Sequence, residues 1–129
     1  MEMIKKATHV PIFVKDQDEA LSFYIKIGFK KHIDKVLPDG CRWLTISIPG
    51  QKDFEFALIK AVDEEQMDLV GNQAAFIPLF YLLVDDIDKT VQYFKRHSAE
   101  IVHDPIDKPW GREARFADLY GNIFAVYSL

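Results

Sequence analysis

The sequence has one cysteine, Cys41, so no disulfide can form within the chain, and a reducing, cytoplasmic location is expected. No base is evident to activate that thiol, which reads as structural or incidental. Basic runs are lacking as well. Lys and Arg number 16 against 20 Asp and Glu, a formal charge of −4, which argues against nucleic acid as a partner. Long apolar runs are missing too. The longest uncharged one, Ala74 to Val84, is too short to cross a bilayer and contains Pro78. The opening MEMIKKATHV has no apolar stretch of the signal-peptide kind, so no membrane partner is expected.

What is present is a repeat. From Thr8 to Phe29 an alternating apolar run ends at Val14 and Asp16 and leads into an amphipathic segment with the pair Phe23, Tyr24. From Pro78 to Ala99 the same pattern returns, with Val84, Asp86 and the pair Tyr93, Phe94 each 70 positions further on. Two copies in 129 residues, 49% of them apolar, predict two pseudo-symmetric modules sharing one core. The expected organisation is a single domain, 1–129, with a first module at 4–60, a linker at 61–75 and a second module at 76–129.

Local patterns fill in each module. His9 to Val14 alternates as a strand, and Asp16 with Glu19 three residues later forms an N-cap with a capping-box partner for a helix that stops near Gly28. A polar edge strand is expected from Phe29 to Val36, then a turn at Pro38, Asp39 and Gly40, and further strands at Arg42 to Ile48 and Phe54 to Ile59. Ala61 to Asn72 reads as an acidic linker with one exposed helix. In the second module the expected elements are a strand at Phe76 to Val84, a helix at Asp86 to His97, and strands at Ala99 to His103, Arg112 to Asp118 and Ile123 to Ser128. Pro105, Pro109, Trp110 and Gly111 are placed in a loop.

These residues resemble a known family. Val14, Lys15, Asp16, then Ala20, Leu21, Ser22, Phe23, Tyr24, and Ile27, Gly28, Phe29 look like the opening of the vicinal oxygen chelate superfamily, which includes glyoxalase I, bleomycin and fosfomycin resistance proteins and extradiol dioxygenases. Pro109, Trp110, Gly111, then Phe116, Ala117, Asp118 and Gly121, Asn122 resemble the PWG loop and closing turn of many small members, although Leu119 and Tyr120 depart from that turn. The resemblance implies an α+β fold of two tandem βαβββ modules. Their eight strands would form an incompletely closed, cup-shaped sheet, with helices outside and ligand inside.

Alternation then assigns the faces. Val10, Ile12, Val14, Leu44, Ile46, Ile48, Phe54, Phe56, Leu58, Phe80, Leu82, Val84, Phe124 and Val126 should pack on helices. The cup would receive His9, Pro11, Phe13, Trp43, Thr45, Ser47, Glu55, Ala57, Leu79, Tyr81, Ala125 and Tyr127, a mixture of rings and a few polar groups suited to a small ligand. Ligand-binding candidates are therefore His9, Phe13, Trp43, Thr45, Glu55, Tyr81, Trp110, Arg115 and Tyr127.

Metal-dependent members of the family take one ligand from the first and one from the fourth strand of each module. His9 and Glu55 stand at such places in the first module, but their counterparts 70 positions on are Leu79 and Ala125, which cannot ligate. No cofactor is expected on this reading, with a divalent metal at His9 and Glu55 as the alternative. Glu55 on an apolar strand needs a partner, for which Arg115, Arg42, a cation or water are the choices. Its bland role is a salt bridge, as His9's is a hydrogen-bonded pocket imidazole. His32, His97 and His103 are expected in solvent. Arg112 and Arg115 could meet an anionic ligand or pair with Glu113 and Asp118.

The resemblance and these residues imply a small-molecule-binding protein of the bleomycin resistance type, commonly a homodimer. The alternatives are a metal-dependent lyase or dioxygenase using His9 and Glu55, and a metal-free isomerase or lyase with either as base.

Overall fold

The computed structural model describes residues 2–129. Its first half contains strand β1 (His9–Val14), helix α1 (Gln17–Lys26), and strands β2 (Lys30–Val36), β3 (Arg42–Ser47) and β4 (Glu55–Lys60). A short helix α2 (Glu64–Leu69) lies in the linker. The second half repeats the order with β5 (Tyr81–Leu83), α3 (Ile87–Arg96), β6 (Glu100–Lys108), β7 (Gly111–Ala117) and β8 (Ile123–Ser128). The eight strands form two four-stranded sheets, ordered β1-β4-β3-β2 and β5-β8-β7-β6, and do not close into a barrel. In each, the first strand runs parallel to the fourth while the other neighbours are antiparallel.

Both long helices start as the sequence dictates. Asp16 Oδ1 accepts from the Glu19 N–H at 3.0 Å, and Asp86 Oδ1 accepts from the Lys89 N–H at 3.1 Å. Helix α2 is capped likewise by Asp63 and buries no residue.

The two halves share one core. Alternation along the strands buries Ile12, Val14, Leu44, Ile46, Leu58, Phe124 and Val126 completely. A chain of rings crosses between the halves: Phe29 lies 6.0 Å from Phe56, Phe56 lies 4.9 Å from Phe80, and Phe80 stacks on Phe124 at 5.2 Å.

Three elements depart from expectation. β5 spans only Tyr81–Leu83, although Leu79 and Phe80 already bond to β8, because the residues before them follow the linker's path; Phe76 on this stretch is 89% exposed, and Leu79 packs against the core instead of facing a cup. β6 runs on to Lys108, with register shifts between Ile101 and His103 and between His103 and Ile106. These bulges accommodate Pro105 inside the strand, so only Pro109 and Trp110 form the turn.

The linker also seals an edge. Gln73 lies along the free side of β1, where its Oε1 accepts from the Phe13 N–H at 2.6 Å and its Nε2 donates to the Pro11 carbonyl at 3.0 Å. A side-chain amide thus takes the place of a neighbouring strand. Gly71 lets the linker pass close against the turn before β8, since a Cβ there would lie 1.8 Å from the Tyr120 carbonyl oxygen.

Candidate functional site

On the first sheet, β1, β3 and β4 bring His9, Trp43, Thr45 and Glu55 to one face. His9 stands opposite Glu55 in the β1–β4 register, and Thr45 opposite Ala57 in the β3–β4 register. The His9 and Trp43 rings are 5.5 Å apart and inclined by 58°. His9 Nε2 lies 3.7 Å from Glu55 Oε2, and His32 Nδ1 lies 2.8 Å from Glu55 Oε1. Partial burial pushes the Glu55 carboxyl up, but the Thr45 hydroxyl and the two imidazoles outweigh it and hold the group below the usual glutamate range. Glu55 is therefore a carboxylate at neutral pH, flanked by rings on one side and hydrogen-bonding groups on the other.

The partner of Glu55 is neither arginine considered from the sequence. Arg42 alternates to the opposite face and is bound by Asp34 at 2.8 Å and Asp18 at 2.8 Å, keeping the Asp34 carboxyl low. Arg115 lies on the other sheet, its Nε 3.2 Å from Glu113 Oε2. Arg112 points toward α3, within 3.7 Å of Asp88.

His32 is exposed, as expected, with 54% of its side-chain surface in water, yet its ring also reaches the cluster. The reason is a bulge: the β2–β3 register shifts between Lys31 and Asp34, which turns His32 toward Glu55. Strand β2 carries almost no apolar residues, so its alternation could not orient His32 from the sequence. His97 accompanies Tyr93, its Nδ1 2.8 Å from the Tyr93 carbonyl oxygen.

The other candidates lie elsewhere. Phe13 is half-buried at the far end of β1. Tyr81 and Tyr127 line a groove of about 790 Å³ between the two halves, away from the His9 cluster. Trp110 sits at the β6–β7 turn, 55% exposed, with Lys108 Nζ 5.9 Å from its ring centre. Glu113, which the sequence reading treated only as a surface partner, is 3% exposed, and its Oε1 has no hydrogen-bond partner among the described residues.

His9, His32 and Glu55 meet here, but among the described residues no group of three His, Cys, Asp or Glu is arranged so that it could hold a metal ion. The counterpart positions in the second half carry Leu79 and Ala125. Of the two imidazoles only His32 hydrogen-bonds the Glu55 carboxylate, while His9 stands 3.7 Å from it.

A duplicated βαβββ unit with a ring-lined, carboxylate-bearing sheet face defines a class of small α+β proteins that handle small molecules. The profile of the Glyoxalase/Bleomycin resistance protein/Dioxygenase superfamily matches residues 6–126, and the chain belongs to that superfamily. An uncharacterized protein of Shewanella frigidimarina is 31% identical over 129 residues, covering 98% of this chain and 96% of its own. The crystal structure of UcmS2 superposes with a TM-score of 0.84 at 30% identity, covering 97% of this chain and 98% of that one. TnmS3, an antibiotic binding protein from Streptomyces sp. CB03234, gives 0.82 at 25% identity, covering 99% and 98%.

Proposed function

We propose that this chain is a small-molecule-binding protein of the glyoxalase/bleomycin resistance type, holding its ligand on the His9, Trp43, Thr45 and Glu55 face without a metal ion. The observation that carries this reading is the His9–Trp43 ring pair beside a carboxylate fixed by His32. Such a surface suits a ligand with a flat apolar body and a hydrogen-bond donor or positive charge. The likeness to TnmS3, an antibiotic binding protein, supports the same class of activity. We further propose a cytoplasmic homodimer. In it Trp110 and Arg115 contribute to enclosing the ligand, since Trp110 is more than half exposed in the single chain.

One observation favours a second reading. The 2.8 Å contact of His32 with Glu55, and His9 beyond it, is a ready proton path for a metal-free isomerase or lyase in which Glu55 or His9 is the base.

A thermal-shift screen of planar and cationic compounds, followed by titration of Trp43→Ala and Glu55→Ala, tests the binding reading. The expected result is a saturable ligand whose affinity falls at least tenfold in both variants while the ligand is recovered unchanged. Ligand turned over by the parent and not by Glu55→Ala would favour the isomerase reading. Near-stoichiometric Mn, Fe, Ni or Zn retained after desalting, and lost in His9→Ala, would overturn the metal-free reading.

A further inference from the structure

The pseudo-symmetry is broken beside α3, and the break leaves a second site. On one side of the molecule, Tyr120 fills the space between α1 and the turn before β8: its hydroxyl accepts from the Asp16 N–H at 3.0 Å and donates to the Asp16 carbonyl at 3.1 Å. Nearby, Tyr24 donates to Asp118 at 2.6 Å. Seventy positions earlier, the counterparts of Tyr120 and Asp118 are Gly50 and Ile48, which can make neither contact with α3. A Cβ built on Gly50 would meet nothing within 4 Å. Here lies the groove of about 790 Å³, a volume in the usual range for drug-sized ligands.

The edges differ in the same way. β1 is capped by Gln73, but nothing caps β5. Phe80 O accepts from Ala125 N and Val84 N donates to Tyr127 O, so alternate residues of β5 face β8, and the main-chain groups of Tyr81 and Leu83 point to the open side. No side chain among the described residues bonds to them.

Charge selects the occupant. The floor is apolar, with Ile48, Leu82, Val84 and Phe94, and Lys89 and Arg96 stand along one wall on α3, two helical turns or about 10 Å apart. Neither forms an ion pair among the described residues, whereas Lys95 and Arg112 nearby are engaged by Asp104 and Asp88. Both are exposed on the groove wall, where they can meet the head group of a ligand lying on the apolar floor. We infer that this groove is a second binding site, distinct from the His9 face, for a free amphipathic anion: an aliphatic or aromatic body on the Ile48, Leu82 and Phe94 floor, with a carboxylate or sulfonate at Lys89 or Arg96.

The probe is 8-anilinonaphthalene-1-sulfonate, followed by its fluorescence, with dodecanoate as competitor and dodecyltrimethylammonium as the charge-reversed control. One saturable site displaced by dodecanoate is expected, weakened at least tenfold in Lys89→Glu/Arg96→Glu and in Thr90→Trp, which fills the trough. Circular dichroism verifies the fold of each variant. His9→Ala and Trp43→Ala should leave the probe's affinity within twofold, so the result is independent of the reading proposed for the first sheet. Equal competition by the ammonium detergent, unchanged affinity in the groove variants, or loss confined to His9→Ala and Trp43→Ala would each overturn the assignment.

Discussion

Tyr24 in α1 donates its hydroxyl to Asp118 Oδ2 at 2.6 Å, joining the first half of the chain to the second through a fully buried bond. Asp118 also accepts from the Tyr120 and Asn122 main-chain N–H groups and from Asn122 Nδ2. One carboxylate thus shapes the turn before β8 and anchors the opposite helix. Tyr24→Phe removes only the link between halves, and a loss of about 1.5–3 kcal/mol in urea denaturation is expected, the range for a hydrogen bond to a charged group. A loss below 0.5 kcal/mol would mean that Asp118 serves the turn alone.

The same pair sets an alkaline limit. Burial and the Asp118 charge push the Tyr24 hydroxyl well above 10, and burial with Glu19 pushes Tyr120 up to about 12. A raised folded value means that the folded state holds its proton after the unfolded chain has released it. Their contribution is complete below pH 10 and is lost as pH rises beyond it. Stability measured from pH 9 to 11 should fall, and Tyr24→Phe should flatten that fall.

Glu55 works in the opposite sense. Its folded value is lowered, so its contribution is present above the unfolded value of about 4.3 and disappears as pH drops through the folded one. Glu55→Gln should therefore lose stability near neutral pH yet show a shallower decline below about pH 4. An unchanged acid limb would show that His32 and His9 do not hold the carboxylate in solution.

Gln73→Ala uncovers the β1 edge. Two hydrogen bonds are lost, at about 1 kcal/mol each. The Phe13 amide should then exchange with solvent much faster than in the parent, as hydrogen-exchange spectroscopy would record. Equal exchange rates would assign the protection of this edge to other linker residues.

Glu113 and Arg115 form an unequal pair. Glu113 is buried with one oxygen unpartnered, while the Arg115 side chain keeps 28% of its surface in water. Glu113→Gln removes a buried charge and should change stability by less than about 1 kcal/mol, whereas Arg115→Met strands that charge and should cost about 2–3 kcal/mol. The reverse order would indicate that Glu113 Oε1 is satisfied by a group outside the single chain.

The repeat, the order of elements and the helix caps were legible because they rest on local signals: alternation at His9–Val14 and Ile123–Ser128, and Asp16 and Asp86 three residues before an N–H they cap. The site was legible in part. Alternation placed His9, Trp43 and Thr45 with Glu55, but could not find His32, which reaches them through a bulge in a strand with no apolar side. Nor could it pair charges across the sheets, since Arg42 and Arg115 differ only in which face and which half they occupy. β5 was read too long because Phe76 and Ile77 are apolar yet exposed, committed to the linker's path rather than to a strand.

Each ladder in the molecule closes within its own half, the most distant pairings within the first half being those of β1 with β4. No strand-to-strand ladder of the first sheet needs a residue after Lys60. During synthesis the first unit can therefore pair its four strands while the second is still being made, leaving the β1 edge for Gln73 to close. What remains for the finished chain is a docking step, the meeting of Phe56 with Phe80 and of Tyr24 with Asp118. Folding kinetics should accordingly show an early sheet-forming phase that a chain ending after residue 60 shares, and a later one that Tyr24→Phe slows.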